Sequence, residues 1–338
     1  MHMALSDIAR KIEHSTNSFT LKRSARKGWQ PSVSGYAGFG NEHFVHVLGR
    51  VLMHDPEAED TDTWAQRGYR QFFTIQVPRH EVEVTVGDKT VSGITNHNGY
   101  IDVLVHDHGL EPGWHEVSIR AKGADEVTAE VLIVSEDTEF GVVSDIDDTI
   151  MVTWLPRAMI AAWNSWVKRT NTRTQVEGMA SFYREIAAEH PGVPFIYLST
   201  GAWNTYDTLV NFMEENGFPR GPLLLTDWGP TPTGMFRNGQ EHKRVQLRNL
   251  FISFPKLRWL LIGDDGQHDP LTYADAVAEH PNRVAAVAIR NLSPQEQLLS
   301  HGSLAPLARV NDQTSFNIPL IQGADGTILS RAYRKLGL

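Results

Sequence analysis

The sequence predicts two domains of different fold class, an all-β sandwich followed by an α/β domain with a parallel sheet. The chain has 338 residues, which is enough for two domains of ordinary size. Strand-like runs separated by turns fill residues 35–139, with no helical period between them. From residue 140 onward, short apolar runs alternate with helical stretches, as in a parallel α/β sheet.

The composition is that of a globular protein and excludes several classes of site. Apolar residues make up 41% and charged residues 21% of the chain, close to the average for folded domains. There is no cysteine, which excludes disulfides, thiolate metal sites and cysteine nucleophiles. The formal net charge of −9 argues against nucleic acid as a partner, because nucleic-acid-binding surfaces are basic.

The first element, residues 1–34, is predicted to be a basic helical segment. Residues 1–28 carry an excess of lysine and arginine over acidic side chains, which suits either a solvated helix or contact with an anionic surface. The first residues lack the apolar core of a signal peptide, and the chain has no run of 18 apolar residues. We therefore expect a cytoplasmic protein without a transmembrane segment, with peripheral contact at a membrane as a further option.

The second element, residues 35–139, is predicted to contain strands joined by turns. Residues 44–48, 82–86 and 100–105 alternate in polarity or are rich in β-branched side chains. Asn98-Gly99 before the last of these runs is a typical hairpin signal. His106 and His108 would share one strand face, but no third zinc ligand lies nearby in sequence, so a surface pair is expected.

The third element, residues 140–338, is predicted to be the α/β domain. Its buried strands are expected at residues 140–143, 195–198, 223–225, 259–262 and 284–289. Apolar positions with a helical period predict helices over residues 179–186, 206–213 and 247–254, and Pro270 would open another. Alternation of this kind predicts a parallel sheet with helices packed on its faces.

A tryptophan-containing segment, Trp154–Arg169, follows the first of these strands. Pro156 suits a first helical turn, and Met159, Ile160 and Trp163 would then share one face. This helix would either pack on the sheet or form a small cap that meets an acyl chain or a bilayer interface. No large cap domain fits in this interval, so the site is expected to admit bulky substrates.

Polar residues follow three of the predicted strands directly, in segments 144–149, 199–201 and 263–269. The carboxyl ends of parallel strands meet at one edge of the sheet, so these segments should converge. The carboxylates brought together would be Asp145, Asp147, Asp264 and either Asp265 or Asp269. Close carboxylates repel each other unless a cation neutralises them, and an oxygen-only cluster selects a hard cation. The sequence therefore predicts Mg²⁺ as the cofactor.

Around a phosphoryl group, these side chains would have complementary roles. Asp145 can attack phosphorus to form an aspartyl phosphate, and Asp147 can protonate the leaving oxygen and later activate water. Ser199 or Thr200 would hydrogen-bond a phosphate oxygen, and Lys243 would supply positive charge. The predicted metal ligands are Asp145, Asp147 and Asp264, and the residues expected to support them are Thr149, Asp265 and Asp269.

The same residues resemble, in order and spacing, the four motifs of the haloacid dehalogenase superfamily in its phosphatase branch. Those motifs are Asp145-Ile-Asp147-Asp-Thr149, Ser199, Lys243 and the segment Gly263–Asp269. Within that branch the chain resembles bacterial members of the actin-patch-associated phosphatidate phosphatase family, through Phe140–Ile150, His242-Lys243, Phe254-Pro255, Ile262–Pro270 and the glycine-rich opening Gly35–Gly40.

The resemblance implies a haloacid-dehalogenase-like three-layer domain that hydrolyses phosphatidate or a related lipid phosphate with Mg²⁺. Asp265 departs from the family pattern, since a small residue is expected there, and it leaves open which aspartate completes the metal site. Phosphate motifs do not specify a lipid tail, so a phosphatase for a soluble metabolite or phosphoprotein is an alternative. A non-catalytic scaffold with a partner-binding sandwich is the second alternative.

Two other site classes are excluded by the sequence. A calcium loop beginning at Asp145 would need glycine at the position of Ile150 and glutamate at that of Pro156. A serine hydrolase is unsupported, because no Gly-x-Ser-x-Gly elbow occurs.

Overall fold

A computed structural model describes residues 20–56 except 22, 75–152, 174–226, 239–301 except 267, and 318–338. The chain divides into an N-terminal unit that ends at Glu136 and a C-terminal unit that begins at Asp137. Most of the basic segment 1–28 and the whole of Trp154–Arg169 lie outside the described residues. None of the helices in the described ranges is long and apolar enough to cross a bilayer.

The described part of the N-terminal unit contains eight strands. They are β1 Gln30–Asn41, β2 Phe44–His54, β3 Ile75–Gln76, β4 Glu81–Val86, β5 Lys89–Ile94, β6 Tyr100–His106, β7 Gly113–Ala121 and β8 Val127–Val134. The sheet has the order β3-β2-β1-β8-β7-β4-β5, and β6 pairs with β2. Its pairings are antiparallel apart from that of β1 with β8. The predicted all-β character of this segment is therefore observed as one continuous sheet.

Apolar side chains at every second position explain why this unit forms strands with one buried face. In β4 the valines at 82, 84 and 86 are buried, and they alternate with more exposed side chains. Buried side chains from seven of these eight strands form an apolar core, and the half-buried Val91 of β5 packs against it. Residues 30–34, assigned from sequence to the basic segment, belong to β1, because they pair with β2 from Gln30 onward and Val33 is buried in the core.

Two local predictions in this unit have different outcomes. The predicted turn at Asn98-Gly99 is present: Gly99 has φ +78°, and a Cβ there would overlap the carbonyl oxygen of Val51, so the position favours glycine. The prediction of a surface histidine pair is wrong for His108, which lies beyond β6 and is buried. Its Nε2 donates to the carbonyl of Asn41, and its Nδ1 accepts from the N–H of Leu110, so backbone groups use both ring nitrogens.

The C-terminal unit alternates strands and helices. Its strands are β9 Phe140–Ser144, β10 Met151–Val152, β11 Thr174–Gln175, β12 Phe195–Ala202, β13 Leu223–Thr226, β14 Arg258–Asp264, β15 Val284–Arg290 and β16 Leu320–Gly323. Its helices are α1 Met179–Glu189, α2 Tyr206–Glu215, α3 Gly239–Ser253, α4 Asp269–Glu279, α5 Pro294–His301 and α6 Gly326–Tyr333. Single 3₁₀ turns at Trp203–Thr205 and Pro281–Arg283 precede α2 and β15.

Six strands form a parallel sheet in the order β13-β12-β9-β14-β15-β16, and β10 and β11 form a separate antiparallel pair. The predicted α/β class is confirmed, and the five predicted strands are β9, β12, β13, β14 and β15. The chain runs outward from β9 to β13 and then returns to place β14 on the other side of β9. Such a reversal of strand order opens a crevice at the carboxyl ends of β9 and β14, where ligands bind in this class of sheet.

Helical periodicity also agrees with the structure. In α1 the side chains of Met179, Phe182, Tyr183 and Ile186 are buried in the main core of this unit. Pro270 occupies the first turn of α4, where its missing N–H is not needed. The edge strand β16 was not predicted from the sequence.

Candidate active site

The centre of the site is set by the register of β9 and β14. Ile262 pairs with Ser144, and the Asp145 N–H donates to the carbonyl of Ile262 at 2.9 Å. Asp145 directly follows β9, and Asp264 is the last residue of β14. Two neighbouring strands therefore deliver two carboxylates to the same point of the crevice.

Lys243, from the second turn of α3, joins two buried carboxylates. Its Nζ lies 2.7 Å from Asp145 Oδ1 and 2.5 Å from Asp269 Oδ1. The exposed fraction is 3% for the lysine side chain, 1% for Asp145 and 0% for Asp269. An unpaired charge would be costly at this depth, so each group depends on the others.

Asp269 belongs to the centre of the site, whereas the sequence analysis gave it only a supporting role. Three carboxylate oxygens, one from each of Asp145, Asp264 and Asp269, lie within 4.8 Å of one another. Asp269 starts α4, and its Oδ2 also accepts from the N–H of Asp264 at 3.4 Å. Gly263 makes room for this arrangement, since a Cβ there would overlap the Asp269 carboxylate.

The electrostatic balance of this cluster is incomplete. Burial raises the pKa of Asp145 to about 8, although Lys243 acts in the opposite direction. Burial also raises the pKa of Asp264 well above its ordinary value, with the nearby Asp269 and Asp145 adding to the effect. Burial would lower the pKa of Lys243, but Asp145 and Asp269 outweigh it and the pKa is raised, so the lysine remains a cation. One lysine therefore faces three buried carboxyl groups.

The residues present fit a hard divalent cation. Asp264 Oδ1 accepts from the N–H of Gly266 at 2.7 Å, whereas its Oδ2 is buried without a hydrogen-bond partner. A buried carboxylate oxygen without a partner is costly, and a cation next to it would remove that cost. Carboxylate oxygens are the ligands that Mg²⁺ prefers. Asp145, Asp264 and Asp269 therefore form a donor set of the right chemistry.

Asp147 lies outside this group of three carboxylates. Its Oδ2 accepts from Ser199 Oγ at 2.9 Å, and Ser199 Oγ accepts from the N–H of Gly201 at 2.8 Å. Asp147 was expected from sequence to be both a metal ligand and the acid, and both roles stay predictions. Thr149 donates to Asp145 Oδ2 at 3.1 Å, so it contacts the residue that it was expected to support.

Ser199 and Thr200 differ in their environment. Ser199 is fully buried beside Asp147, while Thr200 is half-buried. The carbonyl of Thr200 accepts from Thr226 Oγ1 at 2.9 Å, which ties the end of β12 to β13. Both residues lie in the C-terminal half of β12.

The structure shows what the aspartate at position 265 does, where the family pattern has a small residue. Its Oδ1 accepts from the N–H of Leu292 at 2.8 Å, and its Oδ2 accepts from Asn291 Nδ2 at 3.0 Å. Asp265 therefore fastens the end of β14 to the segment after β15, and Asp269 is the carboxylate that joins the cluster.

Sequence reasoning missed the polar residues at the end of β15. The polar pair Arg290-Asn291 ends the fifth strand of the series, as polar residues end the first, second and fourth. The same rule about strand ends would have pointed to them. Ser144 was missed as well; its Oγ donates to the carbonyl of Asp145 at 2.6 Å and lies 2.6 Å from the hydroxyl of Tyr183.

Fold and site together define an α/β domain with a parallel sheet, aspartates at the ends of two central strands and a buried lysine between two of its carboxylates. Residues 140–291 match the family described as "Phosphatidate phosphatase APP1, catalytic domain". This match agrees with the resemblance inferred from the motifs.

Two curated proteins are similar in sequence. "Phosphatidate phosphatase APP1" of Saccharomyces cerevisiae is 30% identical over 159 residues, which cover 44% of this chain and 25% of that protein. "Uncharacterized protein C29B5.04c" of Schizosaccharomyces pombe is 24% identical over 293 residues, which cover 80% of this chain and 47% of that protein. The chain thus spans between a quarter and half of the length of these relatives.

One solved structure among the matches is the HAD domain of the effector protein Lem4 from Legionella pneumophila. It is 18% identical, the alignment covers 45% of this chain and 85% of that domain, and the TM-score is 0.31.

Proposed function

We propose that this chain is a Mg²⁺-dependent phosphomonoester hydrolase that acts through an aspartyl phosphate, with phosphatidate or a related lipid phosphate as its substrate. The observation that supports this most directly is the buried cluster of Asp145, Asp264 and Asp269 around a single Lys243. A cluster with this deficit of positive charge suits a divalent cation, and a cation beside a phosphoryl group would offset the negative charge that develops there.

The metal would be held by Asp145 and Asp264, with Asp269 beside them and Asp147 as the remaining predicted ligand. When bound, it would supply positive charge to the phosphoryl oxygens. Lys243 contributes from the other side, since its hydrogen bond to Asp145 Oδ1 favours the ionised carboxylate that burial disfavours.

The first half of the reaction breaks the phosphomonoester. A carboxylate oxygen of Asp145 attacks phosphorus and forms an O–P bond, while the bond from phosphorus to the alcohol oxygen breaks. Asp147, held by Ser199 Oγ at 2.9 Å, gives its proton to that departing oxygen. The products of this half-reaction are the free alcohol, Asp145 bearing the phosphoryl group, and Asp147 as a carboxylate.

The second half restores the protein. Asp147 takes a proton from water, the water oxygen attacks phosphorus, and the bond between phosphorus and Asp145 breaks. Inorganic phosphate leaves, Asp145 is again a carboxylate and Asp147 is again protonated. Ser199 and Thr200 at the end of β12 are the candidates for hydrogen bonds to the phosphoryl oxygens.

The lipid part of the proposal rests on the similarity of residues 140–291 to a catalytic domain described as that of a phosphatidate phosphatase. We also propose a cytoplasmic location, and the basic residues of segment 1–28 support peripheral contact at an anionic membrane. A sandwich-like arrangement around the single core is our proposal for the N-terminal sheet. Hydrolysis of soluble phosphoesters, or a scaffold role without turnover, would be the outcome if the lipid is not a substrate.

The test is phosphate release by the purified chain from phosphatidate in mixed micelles, beside glycerol 3-phosphate and p-nitrophenyl phosphate. We expect the highest kcat/KM with phosphatidate, no activity in excess chelator, and recovery when Mg²⁺ is added back. A higher kcat/KM for the soluble esters would replace the lipid by a soluble substrate. No release from any ester in the presence of Mg²⁺ would favour the scaffold.

Asp264→Asn is expected to raise the Mg²⁺ concentration for half-maximal activity by about tenfold or more, because the cation loses an anionic ligand. Asparagine keeps an acceptor for the N–H of Gly266 and removes the charge from a buried oxygen without a partner. In chelator, the variant should therefore unfold at a temperature no lower than the wild type does. Mg²⁺ should raise the Tm of the wild type more than that of the variant.

Asp275→Asn is the matched control for this prediction. Asp275 is a half-exposed aspartate on α4 that pairs with Arg244 outside the cluster. Its variant should titrate with Mg²⁺ as the wild type does. Equal Mg²⁺ dependence of the Asp264→Asn variant and the wild type would contradict the assignment of Asp264 as a ligand.

A further inference from the structure

Arg290, the last residue of β15, lies outside every motif used to predict the site. Its side chain is 6% exposed, and it donates to three separate segments of the C-terminal unit. Nη1 lies 2.7 Å from the carbonyl oxygen of Asp148, Nε lies 3.2 Å from that of Ala324, and Nη2 lies 2.5 Å from Glu296 Oε1. A buried guanidinium with this set of partners joins the loop after β9 to α5 and to the segment before α6.

We propose that Arg290 is a positioning residue for Asp147, acting through the carbonyl of Asp148. The inference rests on the proposed function, in which Asp147 is the acid and base of the reaction. Asp147 is held at its carboxylate by Ser199, and Arg290 holds the backbone that follows it.

The conformation of Asp148 shows why this backbone needs a partner. Its φ is +57°, in the left-handed region that a residue with a Cβ disfavours. The turn is closed on one side by the N–H of Asp148, which donates to the carbonyl of Met151 at 2.8 Å. On the other side, its carbonyl points to Arg290. The N–H of the same peptide, that of Thr149, donates to the carbonyl of Ile146 at 3.3 Å. Loss of the shorter hydrogen bond from Arg290 would leave that contact as the remaining hydrogen bond given for this peptide, and we expect the backbone at Asp147 and the direction of its side chain to shift.

Glu296 neutralises the charge of the buried Arg290, because the two side chains form an ion pair. Its side chain is 13% exposed, and burial would raise its pKa, but hydrogen bonds from Arg290 and Ser293 outweigh burial and lower it. Glu296 is therefore ionised at neutral pH and balances the guanidinium charge. The pair contacts none of the three clustered carboxylates, so its effect reaches the site through the backbone of Asp148.

The geometry requires arginine rather than a simple positive charge. Three nitrogens of one planar group each meet a different segment. A lysine ammonium is a compact point charge on a flexible chain, and it would not hold three acceptors in these directions. Arg290→Lys should therefore share the defect of Arg290→Met while preserving the charge.

The test compares Arg290→Met with Asp147→Asn on an alkyl and an aryl phosphomonoester. We expect Arg290→Met to lower kcat on the alkyl ester by about 10- to 100-fold, which is part of the ~10²–10⁴-fold that general acid catalysis contributes. The aryl ester should lose less, because its leaving group needs little protonation. KM and the Mg²⁺ dependence should change less than about threefold, since Asp145 and Asp264 keep their positions.

The double variant separates positioning from a merely structural role. If Arg290 acts through Asp147, adding Arg290→Met to Asp147→Asn should lower kcat little further, and the two effects should be non-additive. Additive effects, or equal losses on the two esters, would overturn the proposal. Arg334→Met, which removes an exposed arginine paired with Glu185 in the same unit, should leave both esters unaffected.

A second measurement does not depend on turnover. Hydrogen exchange of the amides in residues 145–151 should be faster in Arg290→Met or Arg290→Lys than in the wild type, while β9 stays protected. Unchanged exchange in this loop in a folded Arg290→Lys protein would also overturn the proposal. If the wild type releases no phosphate from any ester, the proposed function fails, and the exchange result alone then shows whether Arg290 holds the loop.

Discussion

Asp145→Asn is expected to lower phosphate release by more than about 10³-fold, the scale on which loss of a covalent nucleophile acts. The amide has almost the same shape as the carboxylate, but it carries no anionic oxygen to attack phosphorus. Its oxygen can still accept from Lys243, and its nitrogen can face Thr149. Activity should therefore be lost while the fold remains intact.

The stability of this variant is part of the prediction. Burial raises the pKa of the Asp145 carboxyl to about 8, so removing its charge relieves an unfavourable interaction in the metal-free protein. In chelator, the Tm of Asp145→Asn should be equal to or above that of the wild type. Thermal unfolding followed by circular dichroism would measure it, beside phosphate release with saturating Mg²⁺.

Asp275→Asn, the same substitution at the half-exposed pair with Arg244, should keep wild-type activity. Wild-type-like turnover by an Asp145→Asn preparation shown by mass spectrometry to be free of deamidated protein would contradict the covalent mechanism.

Asp147→Asn is expected to slow the hydrolysis of alkyl phosphates much more than it slows the first step with aryl phosphates. Protonation of the departing oxygen matters most when that oxygen is strongly basic, as in a glycerol ester, and little for p-nitrophenolate. We expect a loss of about 10²–10⁴-fold on alkyl phosphates and a much smaller loss in the first step with an aryl phosphate. The asparagine keeps an oxygen for Ser199 Oγ, so the comparison isolates the proton.

The second half-reaction should also be slowed, because the variant lacks the base that activates water. The phosphoryl group should therefore accumulate on Asp145 when the variant is mixed with an aryl phosphate. Rapid-quench experiments would show a burst of p-nitrophenol without an equal amount of free phosphate. Equal losses on the two ester types, with no burst, would assign the proton transfer to another residue.

Much of the architecture could be predicted because it depends on local patterns. The change from period two to helical period near residue 140 separates the two units, since side-chain burial follows these periods in strands and helices. The rule that polar residues follow strand ends located Asp145 and Asp264 in advance. These positions depend only on the order of strands and on which edge of a parallel sheet they share.

Other features depend on contacts between residues far apart in the chain. His108 was expected at the surface, but its ring satisfies the backbone of Asn41 and Leu110, which no strand period reveals. The choice between Asp265 and Asp269 could not be made from sequence, because both lie in the short polar segment that follows the predicted strand at residues 259–262. The start of α4 turns Asp269 back toward Lys243, while Asp265 faces the end of β15.

The sequence by itself determined the two fold classes, the strands that carry the site and most of its chemical groups, because periodicity and motif spacing are properties of the chain. Only the tertiary structure showed that Lys243 lies between Asp145 and Asp269, and that Arg290 holds the loop of Asp148. The physical reason is that a buried charge is stable only beside its partner, and that partner is supplied by a different strand or helix whose orientation is set by packing of the whole unit.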